Sequence, residues 1–508
     1  MKLVLSEDVR RIDNYAEDVL RIPKRELMAR SGRAVADAIF SRVAKGARVS
    51  ILAGKGNNGG DGYAAAVLLC DSYDVCVYDV FSSGQSSDEG KYHLAQAKAK
   101  GVKILPFLND SADIERISSS ACVVDAVFGT GFRGELPDNL HDLSAALRAE
   151  KHPFILAVDV PLGVNADNGS VLDGAIRADL TVVLSYMKVG LLSYPARDMV
   201  GEIVHDTLDV PDAVESAFSP CNFLVDEDFA RSCLPVRGKN TNKGSFGKLS
   251  IYAGSERYRG AASLALGAAL RSGVGICEYK GPSSLCDILF AVYPEAIYKP
   301  LDRVDEIAHL LAAENRFTAT LVGCGSDTGE ITQTLVRQML QTEGAPLILD
   351  ADAINVLAGL KDGRTLLKNA RRTVILTPHP LEFSRLSGID VELVQKNRIG
   401  LAKEFAREHG VILVLKGAAT LITDGEVLFV NSTGCSALAK GGSGDVLAGA
   451  LSSLVAMGTQ PIVAAALAVY THGLAADRLA RKYSTFGVTP SDLPLEMAAV
   501  FAELEGRK

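Results

Sequence analysis

The sequence predicts an α/β protein of two domains laid end to end, each a parallel sheet covered by helices. Three observations carry this expectation. Short apolar runs alternate with helical segments along most of the 508 residues, which is the arithmetic of βαβ units. The runs are apolar almost throughout, as parallel strands buried on both faces require. The pattern lapses once, around residues 209–234, and then restarts. At roughly 100–200 residues per domain the length allows two to four domains, and the single lapse selects two, 1–212 and 222–508.

Taken in order, residues 6–42 read as one or two helices. Apolar runs follow at 48–54, 75–81, 122–129, 154–161 and 180–185, with helical patterns at 88–100 and 139–150 between them. The segment "DVPDAVESAFSPCNF" carries two prolines and no sustained periodicity, so the boundary is placed there. The grammar restarts with runs at 248–255, 320–326, 346–353, 373–379 and 411–417, each followed by a helical stretch or a glycine-containing turn. The two halves differ in sequence, and no short-period repeat is present.

Composition removes several classes of function. Hydrophobic residues make up 48% and the formal net charge is −8. A mildly acidic chain without basic clusters argues against nucleic-acid and anionic-membrane partners, but not against phosphate ligands, which backbone amides hold without net positive charge. The nine cysteines form no C-x-x-C and no metal-like spacing with histidine, so free thiols in a reducing compartment are expected. The N-terminus meets charge too early for a signal peptide. The apolar stretch after Asp445 is broken by Gly458 and Pro461, too soon to span a bilayer. The expectation is a cytoplasmic protein acting on small molecules, and a homo-oligomer.

In open parallel sheets, ligands sit beyond the carboxyl ends of the strands. In the first half one such end continues "GKGNNGGDGYAAA". Five glycines around Asn57, Asn58 and Asp61 exceed what a turn requires, and they let backbone N–H groups approach an anion at a helix N-terminus. Asp125 and Asp159 stand at two further strand ends beside glycine loops. Asn58 and Asp125 with backbone carbonyls suit a hard cation, which leaves Asp159 for proton transfer. In the second half "GGSGDVLAG" places Gly441, Gly442, Ser443 and Gly444 directly before Asp445 and a helix. Bare amides there can form an anion hole reinforced by the helix dipole, and Asp445 can accept a proton from a substrate hydroxyl. That pairing suits phosphoryl transfer, whose catalysis is mostly positioning and charge stabilisation. Lys416 ends an apolar run and is placed to meet a phosphate. His379 between two prolines, Glu382, Asp350, Asp352 and Lys243 complete the candidates.

The motifs "GKGNNGGDGYAAA", "DAVFGTG" and "DVPLGVNADNG" resemble the NAD(P)H-hydrate epimerase family. "NKGSFGKLSIYAGS", "GAASLALGAALRSGVG", "LDADAIN", "TPHPLEF", "LKGAAT" and "GGSGDVLAG" resemble the ADP-dependent NAD(P)H-hydrate dehydratase family. In order along one chain they resemble the bifunctional enzymes that repair hydrated nicotinamide nucleotides. The resemblance implies a Rossmann-like N-terminal sandwich and a ribokinase-like C-terminal domain. It implies NADH and NADPH hydrates as substrates, interconversion of their R and S epimers by the first domain, and phosphorylation and elimination of the S epimer by the second. ADP or ATP is the implied co-substrate, with Mg2+ and K+. By the family pattern the hydrate meets Asn57, Asn58, Gly59, Gly60 and Asp61, the loop Gly129, Thr130, Gly131, Phe132, Arg133, Gly134 and Glu135, and Asp159. K+ would sit at Asn58, Asp125 and Leu162. In the second domain Ala261, Gly325 and His379 would line the hydrate pocket. Lys416, Gly417, Ala418, Ala419 and Thr420 with Gly441, Gly442, Ser443 and Gly444 would hold the nucleotide, and Asp445 would be the base.

The chain departs from the family pattern at Lys55, where a proline is usual, at Leu162, where a serine is usual, and in "GCGSD", which places Cys324 and Asp327 in the usual G-P-G-L-G loop. Two other readings stay open on sequence alone. One is a ribokinase-like kinase for a small alcohol with a fused sensor domain. The other makes the first domain a scaffold without catalysis, against which the retained Asp125 and Asp159 speak.

Overall fold

The computed structural model describes residues 1–81, 87–218 and 221–506. Ser219 and Pro220, inside the lapse that marks the expected boundary, lie outside the described residues. The chain forms two compact units, Lys2–Asn222 and Phe223–Lys508.

The first unit opens on β1 (Lys2–Leu3), followed by two helices, Ser6–Asp18 and Lys24–Phe40. Its sheet contains β2 (Arg48–Ala53), β3 (Asp74–Asp79), β4 (Lys103–Pro106), β5 (Cys122–Ala126), β6 (Phe154–Val158), β7 (Leu180–Leu184) and β8 (Glu202–Asp206). The order is β4-β3-β2-β5-β6-β7-β8, all parallel. The central strands are buried on both faces because they are Val, Ile, Leu and Ala nearly throughout. The chain leaves β2 toward β3 on one side and returns to β5 on the other, so the strand order reverses between β2 and β5. Such a reversal opens a crevice beyond the strand ends. Two loops meet there closely. The Gly54 amide donates to the Ala126 carbonyl at 3.0 Å, and a Cβ on Gly54 would stand 1.8 Å from the Val127 carbonyl oxygen.

The strands of the second unit are β9 (Asn222–Val225), β10 (Lys248–Tyr252), β11 (Ile276–Gly281), β12 (Ile297–Pro300), β13 (Ala319–Val322), β14 (Leu347–Leu349), β15 (Val374–Leu376), β16 (Ile412–Leu415), β17 (Leu421–Thr423) and β18 (Leu428–Asn431). They run β9-β18-β17-β16-β15-β14-β13-β10-β11-β12. Pairing is parallel from β12 across to β16 and antiparallel through β16, β17 and β18. The helices Arg259–Arg271 and Ser443–Ala456 pack together on one face, their alanines and leucines inside the same core as β10 and β13.

The runs that define β2, β3, β5, β6 and β7, and β10, β13, β14, β15 and β16, are the ones expected from sequence. β4 and β12 escape that reading because they are edge strands with exposed polar residues and a terminal proline. β11 escapes it because Glu278 and Lys280 interrupt its apolar run, yet both are buried, paired with Arg316 and Glu314.

Gly54→Ala is expected to destabilise the first unit by about 1–3 kcal/mol or more, the usual cost of forcing atoms into a packed site. The midpoint of urea unfolding reads this directly. An unchanged midpoint would mean that the two crevice loops can part freely.

Candidate functional site

The crevice of the first unit is a cavity of about 530 Å³. The helix Asn57–Leu69 begins at its floor, and Asn58 Nδ2 donates to the Phe128 carbonyl at 2.8 Å. This ties the first glycine loop to the loop after β5. Phe128 and Phe132 stack with ring centroids 4.1 Å apart, which shapes one wall. Arg133 turns its guanidinium to the carbonyls of Thr130 and Phe132 at 3.0 and 2.7 Å and to Asp167. Asn57, Asn58, Asp61, Asp159 and the loop residues Gly129 to Arg133 therefore share one cavity. Gly59, Gly60, Gly134 and Glu135 are not part of its lining. A Cβ on Gly60 would press on the Met28 sulfur at 2.5 Å, so that glycine serves helix packing.

Asp159 ends β6 in the left-handed region, at φ 64°, and Ser185 ends β7 likewise, at φ 62°. Two non-glycine residues in this conformation at neighbouring strand ends store strain where a site is built. Asp159 Oδ1 accepts from the Leu184 amide at 3.1 Å and from the Lys188 ammonium, which also donates to the Leu184 carbonyl at 2.6 Å. The Lys188 side chain is 1% exposed. The Ser185 hydroxyl is buried without a partner. Asp61 is buried, and burial pushes its carboxyl well above the usual range, helped by the charges of Asp159 and Asp13. Asp13 is pushed up to about 6 by burial, with Lys188 and Lys24 pulling down and Asp159 pushing up.

Asp125 is 1% exposed. Its carboxylate accepts from the Leu162 amide at 2.6 Å and from the Val127 amide at 3.3 Å, and burial raises it to about 6. Among the described residues no cation pairs with it. Leu162 thus reaches Asp125 through its amide. Its side chain is in the core, and its carbonyl accepts from the Ile176 amide at 3.0 Å.

In the second unit Asp445 lies in the first turn of the helix Ser443–Ala456, whose N-cap is Gly442 at φ 103°. Asp445 is therefore no cap. The Ser443 amide is taken by the Lys440 carbonyl at 3.3 Å. The amides of Gly441, Gly442 and Gly444 have no hydrogen-bond partner among the described residues, and they are the bare donors at this helix start. Lys416 Nζ lies 3.2 Å from where a Gly444 Cβ would stand, so a side chain there would crowd the ammonium.

Asp350 anchors the charge pattern. It is 1% exposed, and Oδ1 accepts from Thr377 Oγ1 at 2.6 Å and Lys416 Nζ at 3.0 Å. Cys324 Sγ sits 3.6 Å from Asp350 Oδ2, and side-chain atoms of Cys324, Asp350 and Asp445 lie within 4.8 Å of one another. Burial, and then the negative charge of Asp350, raise Asp445 to about 7, against the thiol of Cys324 and the charge of Lys416. Burial works to lower Lys416, but Asp350 and Glu382 outweigh it and raise it. Arg398, itself buried, reaches the Leu415 and Lys416 carbonyls at 3.2 and 3.3 Å and braces the turn 416–420, which Thr420 Oγ1 closes onto the Gly417 carbonyl at 2.9 Å. Ala418 and Ala419 form the outer part of that turn.

His379 caps the helix Pro380–Ser387: its Nδ1 accepts from the amides of Leu381 and Glu382 at 3.2 and 3.3 Å. Burial and Lys416 lower its basicity. Gly325, at the end of β13, meets Ala261 so closely that a Cβ would lie 2.7 Å from the alanine Cβ. Asp352 accepts from the Asp327 amide at 2.9 Å. Lys243 stands in an exposed turn. Sequence reasoning missed Asp13, Lys188, Ser185 and Arg398. Asp13 lies in a charged amphipathic helix that marks no position as special, and Lys188 follows β7 in a short apolar stretch without a glycine-rich loop.

Comparison with known proteins fits these two sites. A family model described as NAD(P)H-hydrate dehydratase matches residues 249–498, and one described as YjeF-related protein N-terminus matches residues 24–190. The chain is 32% identical to the bifunctional NAD(P)H-hydrate repair enzyme Nnr of Moorella thermoacetica, over 99% of this chain and 97% of that protein. A crystal structure of the ADP/ATP-dependent NAD(P)H-hydrate dehydratase from Bacillus subtilis, co-crystallised with ATP and Mg2+, is 32% identical with a TM-score of 0.50, covering 56% of this chain and 99% of that one. A ribokinase-like superfamily protein from Enterococcus faecalis, 24% identical with a TM-score of 0.50 over 56% of this chain and 98% of its own, shares the fold. With family matches in both halves and a relative aligned along nearly its whole length, the chain belongs to the family of bifunctional NAD(P)H-hydrate repair enzymes.

Proposed function

We propose that the protein repairs hydrated NADH and NADPH at two sites: the first unit interconverts the R and S hydrates, and the second returns the S hydrate to the dihydronicotinamide at the expense of ADP or ATP. The observation that carries this reading is Asp445, a carboxylate held near neutrality beside the bare amides of Gly441, Gly442 and Gly444 and the Lys416 ammonium.

The chemistry follows from leaving-group ability. Hydroxide leaves a carbon poorly, whereas phosphate leaves well. Asp445 takes the proton of the hydrate hydroxyl as that oxygen attacks the terminal phosphorus of the nucleotide. The glycine amides and Lys416 receive the charge that gathers on the transferred group. The C–O bond of the phosphate ester then breaks, phosphate departs with its electron pair, a ring proton is lost, and the double bond returns. ADP yields AMP and phosphate. Bare amides and a buried ammonium fit a polyphosphate, and Mg2+ on that polyphosphate would offset its charge. In the first unit Asn58 and Asp125 fit K+, because a buried carboxylate with no described cation partner is costly to ionise alone. Leu162 contributes no side-chain oxygen to such a site, and its carbonyl is already engaged. Ala261, Gly325 and His379 are assigned to the hydrate pocket, and residues 416–420 to the nucleotide.

Among the described residues no helix is long and apolar enough to cross a membrane. A cytoplasmic homo-oligomer is part of the proposal, supported by exposed Ile288, Val292 and Ile297 along the edge strand β12 and its neighbouring helix.

Asp445→Asn is expected to lower dehydration by roughly 10²–10⁴-fold, the usual loss on removing a general base, while epimerisation persists. The base works only when ionised, so wild-type kcat for dehydration rises as pH rises through about 7. A flat profile, or a stable phosphorylated product in place of regained dihydronicotinamide absorbance, would refute the assignment. With mixed epimers and ADP the wild type converts all of the hydrate. Asp159→Asn is expected to stop at the share that was S at the outset, and full conversion by that variant at the wild-type rate would contradict the role of the first unit.

A further inference from the structure

The strand-end carboxylate that the sequence leaves for proton transfer in the first unit, Asp159, is tied to two neighbouring donors. Its Oδ1 is fixed by the Leu184 amide and by the Lys188 ammonium, whose side chain is 1% exposed and also tied to the Leu184 carbonyl. The pair forms a neutral, rigid anchor. Three further carboxyl groups line the same cavity, Asp13 from the helix Ser6–Asp18, Asp61 from the helix Asn57–Leu69 and Glu89 from the helix Asp88–Ala99. Asp13 feels the charge of Asp159, and Asp61 feels the charges of both Asp159 and Asp13. One buried cation is already neutralised by Asp159, and Asp13 and Asp61 cannot both ionise cheaply in a desolvated cavity.

We propose that Asp13 and Asp61 are the acid–base pair of the epimerase, Asp61 giving its proton to the hydroxyl of the bound hydrate, with Lys188–Asp159 as their fixed electrostatic frame. This rests on the epimerase reading of the first unit. The proton of Asp61 passes to the hydroxyl oxygen, the C–O bond breaks with its electron pair, and water leaves. The ring nitrogen supplies its lone pair to the carbon and forms a C=N bond. Water then adds to the opposite face of that carbon, the C=N pair returns to nitrogen, and the added water loses a proton to the Asp13 carboxylate. The reverse direction exchanges the two roles, so no proton is gained or lost over the cycle. The other charged groups around Asp13 are Lys24, Arg10, Lys55, Glu89 and Arg133. Of these, Lys24 acts on Asp13 directly, favouring its ionised form, while burial opposes ionisation and raises Asp13 to about 6.

The test is epimerisation of pure S hydrate by the full chain, followed against pH, for the wild type, Asp13→Asn and Asp13→Glu. Wild-type kcat rises as pH rises through about 6, because the Asp13 base ionises. Asp13→Asn lowers kcat by roughly 10²–10⁴-fold with little change in KM and removes this dependence. Asp13→Glu keeps a carboxyl and restores a pH-dependent rate. In water enriched in heavy oxygen, each turnover places one solvent oxygen in the hydrate. An Asp13→Asn enzyme with wild-type kcat and pH profile overturns the inference while leaving the epimerase reading standing. Epimerisation without oxygen exchange, or an Asp13→Glu enzyme no better than Asp13→Asn, overturns it as well. Absence of epimerisation in the wild type overturns the reading on which it rests.

Discussion

A carboxylate that must be ionised to act, placed where ionisation is expensive, is the constraint from which the second site follows. Asp445 has lost much of its water and faces the Asp350 charge, and both effects push its proton affinity up to about 7. An aspartate in water titrates near about 3.9 and would be a feeble base toward an alcohol. Lys416 prevents the opposite excess. It pairs with Asp350 at 3.0 Å, and the Asp350 charge tunes its neighbour. The fold bears a cost for this. A carboxyl whose folded pKa exceeds its unfolded value weakens the native state as pH rises above the unfolded value, and the penalty is complete once pH passes the folded one.

The first unit solves a related problem differently. Its cavity is lined by four carboxyl groups, Asp13, Asp61, Glu89 and Asp159, and the only buried ammonium pinned to one of them among the described residues is Lys188, on Asp159. Burial and neighbouring charge push Asp13 and Asp61 toward their protonated forms. Asp125, on the neighbouring strand β5, is held instead by two backbone amides. Both sites occupy the carboxyl ends of parallel strands, where main-chain turns leave donors exposed and strand geometry fixes the side chains. One architecture thus supports exchange of a hydroxyl at a carbon in one unit and charge stabilisation at phosphorus in the other.

The parallel strands were legible because burial on both faces forces them to be apolar, and the glycine loops because their composition exceeds the needs of a turn. β11 was hidden by Glu278 and Lys280, whose pairing with Arg316 and Glu314 exists only in three dimensions. Asp445 was visible because Gly441, Gly442 and Gly444 precede it. The elevation of its pKa was not, since it depends on Asp350, ninety-five positions earlier. Asp13 and Lys188 were invisible for the same reason. Each is an ordinary charge on its own element and becomes part of a site only when β6, β7 and the first helix converge. At Leu162 the contact with Asp125 runs through the amide, a contact indifferent to the side chain.

The central claim is that Asp445 is a neutral-range base because it is buried and Asp350 stands beside it. Carbon-13 labelling of the aspartate carboxyls with an NMR pH titration reads this most directly, with the Asp445 signal assigned by its loss in an Asp445→Asn sample. The account predicts a midpoint near 7 for Asp445, moving down in Asp350→Asn. A midpoint near about 4, the ordinary aspartate value, or one that ignores Asp350, would contradict it.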